Sequence, residues 1–228
     1  MIVKFPVAMK VAFGENPKRV YEGQKKSPIT RMATAAILRE TLFKAKAYLE
    51  KKERAKEDPS KMPEFDMKME EMAKVLKKEM PLKAHAHRAD DIFTALRIAK
   101  EFDVDITLDH CTEGHIIADE ITKSGFDVIV GPDLASRNKL ECKNADFKTS
   151  GVLAKKGVRV AIATDHPVSL IQYLPICAGL AAKKGLGIEE GLKAITINPA
   201  IICGMVNRVG SLECGKDADI AIFTGNPM

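Results

Sequence analysis

The sequence has no pair of cysteines in CxxC spacing, and its cysteines are odd in number and widely separated. Scattered thiols of this kind argue against a disulfide framework and against a thiolate zinc knuckle. They are typical of a reducing compartment, so we expect a cytoplasmic protein. The cysteines are Cys111, Cys142, Cys177, Cys203 and Cys214.

Glycine-rich phosphate loops are also missing, since neither GxGxxG nor GxxxxGK[ST] occurs in the chain. These loops are the sequence marks of dinucleotide and phosphate binding, because their backbone N–H groups surround the phosphates. A nucleotide-binding α/β protein is therefore disfavoured.

Long apolar runs and basic clusters are absent as well. Lys4, Pro6 and Lys10 interrupt the apolar N-terminal run MIVKFPVAMKVAF, which fits neither a signal peptide nor a membrane span. The net charge is only +5, and the densest basic region, residues 44–61, is interleaved with acidic residues. This pattern is typical of a solvated helix face. We expect no nucleic-acid partner and no membrane partner.

What the chain does contain is a regular alternation of strand-like and helix-like segments. Apolar strand patterns occupy residues 7–13, 82–87, 104–110, 126–132 and 158–167. Helical patterns occupy residues 30–56, 63–79, 89–102, 112–125 and 147–157, and again 170–184 and 188–196. Strands that alternate with helices predict right-handed βαβ units and a parallel sheet. A turn is predicted at Gly14, Asn16 and Pro17, and a final strand in GSLECGKDADIAIF.

All five histidines lie where an apolar strand pattern ends. They are His85, His87, His110, His115 and His166, the last beside Asp165. The carboxyl ends of parallel strands meet at one face of a barrel, so these imidazoles and the carboxylate would converge there. Such convergence is typical of a metal site. Each histidine taken alone has the alternative of a solvated loop residue or a hydrogen-bonded core residue.

The tail AITINPAIICGMVNRVGSLECGKDADIAIFTGNPM resembles the C-terminal signature of the amidohydrolase superfamily, especially its imidazolonepropionase-like metal-dependent hydrolases. Upstream, PLKAHAHRADDI resembles the fifth barrel strand of that family, DITLDHCTEGH the sixth and VAIATDHP the eighth. The resemblance implies an α/β fold, an incomplete TIM-type (β/α)8 barrel of about strands 4–8. It places this partial hydrolase barrel in residues 1–205 and a C-terminal β segment of a composite sandwich in residues 206–228.

The resemblance also implies a metal site. His85 and His110 would bind a divalent metal, expected to be zinc in one or two copies. Asp165 would bind the metal and act as the catalytic base toward water. Lys10 matches the strand-four lysine that many members carboxylate into a metal ligand; its alternative is an outward-facing strand end.

Four further residues are expected to contact the substrate. We expect His87 to lie on the opposite face of the strand from His85, or to swing into the site, and the choice of His85 as the ligand rests on the family pattern alone. His166 is expected to bind substrate or to orient Asp165. His115 and Arg88 are weaker candidates, together with Glu113.

The chain departs from the family in one respect, because its only HxH is at residues 85–87 and none precedes strand four. We therefore expect the C-terminal portion of a longer enzyme, which exposes a strand edge and favours a homo-oligomer or a separate N-terminal portion as partner. The predicted function is hydrolysis of a C–N bond, in an amide or cyclic amide of a small molecule. The alternative is a non-catalytic fragment that needs a partner chain.

Overall fold

The framework of the described part of the chain is a single sheet of five parallel strands in the order β1-β2-β3-β4-β5. The computed structural model describes residues 4–228. The strands are β1 (Met9–Ala12), β2 (Leu82–Ala86), β3 (Ile106–His110), β4 (Asp127–Val130) and β5 (Val160–Ile162). Neighbours in sequence are thus neighbours in the sheet, the order that successive βαβ units produce. The predicted parallel sheet and incomplete barrel are confirmed.

Helices connect the strands, and three more follow the last strand. They are α1 (Glu15–Glu22), α2 (Arg31–Arg54), α3 (Met67–Leu76), α4 (Ala89–Phe102), α5 (Ala118–Ser124), α6 (Lys148–Lys155), α7 (Leu174–Ala181), α8 (Ile188–Ile195) and α9 (Ile197–Ile202). The longest, α2, begins where the Thr30 side chain accepts a hydrogen bond from the Ala33 N–H at 3.0 Å, which satisfies a donor that the helix itself leaves free. No helix in residues 4–228 is both long and apolar enough to span a bilayer.

The main core lies between the helices and one face of the sheet. Leu82, Leu108 and Val128 are at most 1% exposed and belong to one apolar cluster with Ile92 and Ile98 of α4. The strand register pairs Leu108 with Val128, so equivalent positions of neighbouring strands share a face. On β2 and β3 the alternate positions, which face the other way, are polar, and His85 of the candidate site is one of them.

The turn predicted at residues 14–17 is only partly formed. Gly14 adopts a left-handed conformation (φ 72°), but α1 begins at Glu15 and contains Asn16 and Pro17. Proline is tolerated in the first turn of a helix because the N–H it lacks would have no helical partner there. The prediction that Pro17 closes a turn was therefore wrong.

The predicted C-terminal β segment is not formed by this chain. Within the described residues, no strand occurs in residues 206–228, and the expected strand residues Ile220 and Ile222 are 60% and 93% exposed. A strand needs a neighbour to satisfy its backbone groups, and this segment has none in residues 4–228.

Truncating the core should destabilise the fold strongly. Leu108 is 0% exposed, so Leu108→Ala should lower the free energy of unfolding by about 2–5 kcal/mol through lost apolar burial and a residual cavity. Urea unfolding followed by circular dichroism measures this change. Leu212→Ala, at a residue that is 80% exposed, is the matched control and should change it by less than about 0.5 kcal/mol. Equal effects of both substitutions would contradict this assignment of the core.

Candidate metal centre

The carboxyl ends of β2 and β3 bring three imidazoles together. His85, His87 and His110 are 5–8% exposed, and each offers a ligand atom within 4.8 Å of those of the other two. Their ring centroids are 4.3 to 4.9 Å apart. Imidazole nitrogens at this spacing are suited to a shared divalent cation.

The expectation that His87 lies on the opposite face from His85 was wrong. Side chains alternate along a strand, so residues two apart point to the same side. The two rings are in edge contact, with centroids 4.9 Å apart. His87 therefore belongs to the histidine cluster.

His110 reaches the cluster through a change of backbone direction. The register pairs it with Ala86, whose side chain packs in the core behind the sheet. Left-handed conformations at His110 (φ 71°) and Cys111 (φ 47°) end the strand there. The Nδ1–H of His110 then donates a 2.7 Å hydrogen bond to the Gly131 carbonyl. This bond leaves Nε2 of His110 unprotonated and free to bind a metal.

Burial keeps the cluster neutral. Desolvation, with a smaller contribution from His110, lowers the pKa of His85 to about 3 and that of His87 to about 2. Burial also lowers the pKa of His110, and the Gly131 hydrogen bond and the Asp165 charge offset this only in part. At neutral pH all three imidazoles therefore carry free lone pairs.

One atom of the cluster shows directly that a cation would fit. Nε2 of His85 is buried and has no hydrogen-bond partner in the described residues. Buried polar atoms are nearly always paired, and an exception calls for a reason. The Thr112 hydroxyl, 2.8 Å from Nδ1 of His87, orients a second ring of the cluster. The residues present therefore fit a divalent metal.

Asp165 lies in the same cavity, which measures about 150 Å³ and is lined by the three histidines, Thr112, Lys139 and Asp165 among others. Asp165 is exposed and has a left-handed backbone (φ 50°). Its carboxylate is not among the ligand atoms that lie within 4.8 Å of one another. The structure thus brings Asp165 to the site, but on its solvent side.

Lys10 is engaged by a carboxylate that sequence reasoning missed. The Lys10 Nζ donates to Asp109 at 2.8 Å, and the Lys83 Nζ donates to the other oxygen of Asp109 at 2.9 Å. Burial raises the pKa of Asp109, but the two ammonium groups outweigh it and hold the pKa below its usual range. Lys10 is thus placed as an ammonium in an ion pair. In the sequence Asp109 directly precedes His110, but only the strand register, which pairs it with His85, places it beside the site.

The remaining candidates do not line the cavity. The guanidinium of Arg88 pairs with Asp90 at 2.9 Å. His115 lies in a short 3₁₀ turn, Gly114–Ile116, with its Nδ1 2.9 Å from the Thr149 hydroxyl. The Nδ1 of His166 accepts the Ile171 N–H at 3.3 Å. Each of these side chains contacts another residue of the chain outside the cavity.

A buried carboxylate next to the cluster was also missed. Glu141, in the loop between β4 and α6, is 1% exposed, and its Oε1 lies 3.9 Å from Nε2 of His87. Burial raises the pKa of Glu141. The sequence LEC offers no signal for it, because only the fold brings this loop beside His87.

Comparison with known proteins agrees with this geometry. Residues 54–227 match the family model described as the amidohydrolase family, and the chain belongs to that family. The amidohydrolase tasK of Hapsidospora irregularis is 25% identical over 232 residues, which cover 96% of this chain and 24% of that protein. The imidazolonepropionase of Syntrophobacter fumaroxidans (strain DSM 10017 / MPOB) is 41% identical over 76 residues, 32% of this chain and 18% of that protein.

Among solved structures, an amidohydrolase from Thermotoga maritima MSB8 superposes with a TM-score of 0.95 at 45% identity, covering 99% of this chain and 59% of that one. The resemblance inferred from the sequence motifs is therefore confirmed. The chain spans less than two thirds of the length of each of these relatives.

Acid should destabilise the metal-free chain through its buried imidazoles. The pKa of His87 is about 2 in the folded state against 6.5 for an ordinary histidine, so below about pH 6.5 the unfolded state binds a proton that the folded state does not. Stability then falls with falling pH, by up to about 1.4 kcal/mol per pH unit for each such histidine. We expect His87→Gln to reduce the slope of the unfolding free energy against pH. Urea unfolding between about pH 4 and about pH 7, a range between the two pKa values, measures this slope.

Leu212→Ala, at an exposed residue that carries no ionisable group, is the control for this measurement and should leave the slope unchanged. An unchanged slope in His87→Gln would show that His87 is not held neutral.

Proposed function

We propose that this chain carries the metal centre of a metal-dependent hydrolase that cleaves a C–N bond, in an amide or cyclic amide of a small molecule. The observation that carries the proposal is the cluster of His85, His87 and His110, which is buried and neutral and in which Nε2 of His85 has no partner among residues 4–228. Membership of the amidohydrolase family supports the same reaction class.

Zinc is the metal we propose, because the ligand atoms are imidazole nitrogens and Zn²⁺ binds these readily. His85, His87 and His110 would hold it. From the sequence we expect His87 to contact the substrate, and we now propose it as a metal ligand instead. When bound, the metal would lower the pKa of water toward about 7 and polarise the scissile carbonyl. One ion fits the three histidines.

Asp165 is the proposed general base. Its carboxylate lines the cavity beside the histidines and is exposed to entering water. It would take a proton from water as oxygen adds to the carbonyl carbon, and return that proton to the nitrogen as the C–N bond breaks. Lys139 lines the same cavity and is proposed to contact substrate. His166 lies outside the cavity and next to Asp165, so we propose that it orients that carboxylate.

Lys10 remains the proposed position of a carboxylated lysine in a complete family enzyme. In this chain its ammonium pairs with Asp109, and carboxylation would first require loss of a proton and of that ion pair. We propose that Lys10 and Lys83 together keep Asp109 charged on the face of the sheet opposite the core.

The alternative is a non-catalytic fragment that needs a partner chain. The edge of β1 that faces away from β2 supports this alternative. Within residues 4–228 only β2 pairs with β1. A largely apolar cleft of about 500 Å³ lies beside this strand, lined in part by Met9, Val11, Leu38 and Met72. We propose that a second copy or a separate N-terminal portion pairs with this edge. The five free cysteines support a cytoplasmic location.

Metal analysis tests the centre. After loading with Zn²⁺ and dialysis, we expect about one zinc ion per chain, as in sites with three protein ligands. His85→Ala and His110→Ala should each lose the ion, because two imidazoles remain. The measurement is inductively coupled plasma mass spectrometry of the purified chain, with His115→Ala as the control outside the cavity.

Asp165→Asn should retain the zinc but lower turnover of a panel of linear and cyclic amides by about 10²–10⁴-fold, since only proton transfer is removed. A wild-type chain that takes up no zinc and turns over no amide would instead support the non-catalytic fragment.

Proline at the edge of β1 tests pairing with a second copy. The Met9 and Phe13 N–H groups bond toward β2, so the strand period directs the Ala12 N–H toward the open edge. Ala12→Pro would block a partner strand without removing a bond to β2. By sedimentation velocity we expect a wild-type dimer and a monomeric Ala12→Pro, while Ala12→Ser, which keeps its N–H, stays dimeric. A wild-type monomer would contradict pairing between copies.

A further inference from the structure

Two cationic side chains line the cavity that contains the histidine cluster. Lys139 and Arg137 both belong to the loop between β4 and α6, and both are lining residues. Within residues 4–228, Asp165 is the one carboxylate among the lining residues. Since the imidazoles are neutral, the described lining has an excess of positive charge before any metal is bound.

Lys139 is the less exposed of the two cations, being half-buried where Arg137 is exposed. The Lys139 Nζ donates to Oδ1 of Asn16 at 2.8 Å, and this acceptor is neutral. An ammonium group has three donors, and no carboxylate in residues 4–228 forms an ion pair with this one. A cation that is partly withdrawn from water gains most from an anionic partner.

The carboxylates in this part of the chain do not supply that partner. Burial raises the pKa of Glu141, and the charge of Lys139 offsets this only in part. Oε2 of Glu141 instead accepts the Glu15 N–H at 2.8 Å and lies 3.5 Å from Nη2 of Arg31. Asp165 is exposed on the solvent side of the cavity. An anion for Lys139 would therefore have to come from a bound molecule.

The charge of Lys139 also acts at the metal side of the cavity. Burial is the main cause of the low pKa values of His85 and His87, and the Lys139 charge is a smaller contribution to both. The loop is held in place in part by Arg137, whose Nη2 donates to the Ala145 carbonyl. A molecule bound at the histidines would thus lie in the field of the ammonium group.

We propose that the substrate is a small amide or cyclic amide that carries a carboxylate, and that Lys139 binds this carboxylate. Arg137 supplies a second, more exposed donor. The inference rests on the proposed hydrolase and names its substrate class. The cavity of about 150 Å³ is smaller than the about 300–1,000 Å³ of pockets for drug-sized ligands. The carboxylate would therefore lie only a few bonds from the C–N bond that is cleaved.

Matched hydroxamates test the proposal on the Zn²⁺-loaded full chain. A hydroxamate binds zinc directly, so one that has a carboxylate at its other end can reach both the ion and Lys139. The probes are the monohydroxamates of malonic, succinic and glutaric acid, each compared with the carboxamide of equal length by isothermal titration calorimetry. For at least one length, we expect the carboxylate to bind at least about tenfold more tightly than the carboxamide. This ratio should fall with added salt.

The variants assign the preference to Lys139. Lys139→Gln should reduce the ratio to within about twofold while leaving the Kd of the carboxamide unchanged, because only an ionic contact is lost. Lys139→Arg keeps the charge and should keep the preference. The matched control is Lys143→Gln, at an exposed lysine of the same loop that does not line the cavity, and it should also keep the preference.

The outcomes separate this inference from the proposed metal centre. If the wild type binds the two members of every pair equally, or if Lys139→Gln keeps the full preference, the inference is overturned and the metal centre stands. If Lys139→Gln weakens both members of a pair alike, Lys139 serves only to hold the loop to Asn16, and the inference is again overturned. A wild type that takes up no Zn²⁺ or binds no hydroxamate would overturn the metal centre itself, and the inference with it.

Discussion

The chemistry of this chain depends on the exclusion of water from three imidazoles. His85, His87 and His110 are buried against one another, so protonating one of them places a charge in a poorly hydrated space beside its neighbours. They are neutral at physiological pH and present lone pairs. At exposed histidines, with an ordinary pKa of 6.5, protons would compete with the metal for the imidazole nitrogens. Burial therefore turns an ordinary strand end into a metal-binding surface.

The two faces of the sheet contribute differently to the histidine cluster. The face toward the helices is packed with residues such as Leu82 and Leu108 and holds the strands in register. The opposite face carries Asp109 between the ammonium groups of Lys10 and Lys83. A carboxylate neutralised in this way is tolerated near the cluster, whereas an isolated one would be costly. The apolar face thus positions the histidines, and the polar face sets the local charge.

Much of the fold could be predicted from local pattern. Buried parallel strands appear as short apolar runs, and α4 was predicted at residues 89–102 because its apolar residues recur with helical spacing. The positions of the histidines at the carboxyl ends of β2 and β3 followed from the same runs. The side of His87 was misjudged although strand period alone decides it. The strand expected around Ile222 did not form, since a strand also requires a neighbour that local pattern cannot supply.

By itself the sequence determined the alternation of strands and helices, the family, and the histidines that end the strands. Each of these features can be recognised from a continuous stretch of residues. Only the tertiary structure decided how those side chains combine. Left-handed backbone at His110 turns its ring toward His85 and His87, and the packing of α1 and Arg31 around Glu141 fixes a carboxylate behind them. These contacts join residues up to 126 positions apart. Their geometry follows from burial and register across the whole sheet, which no local segment encodes.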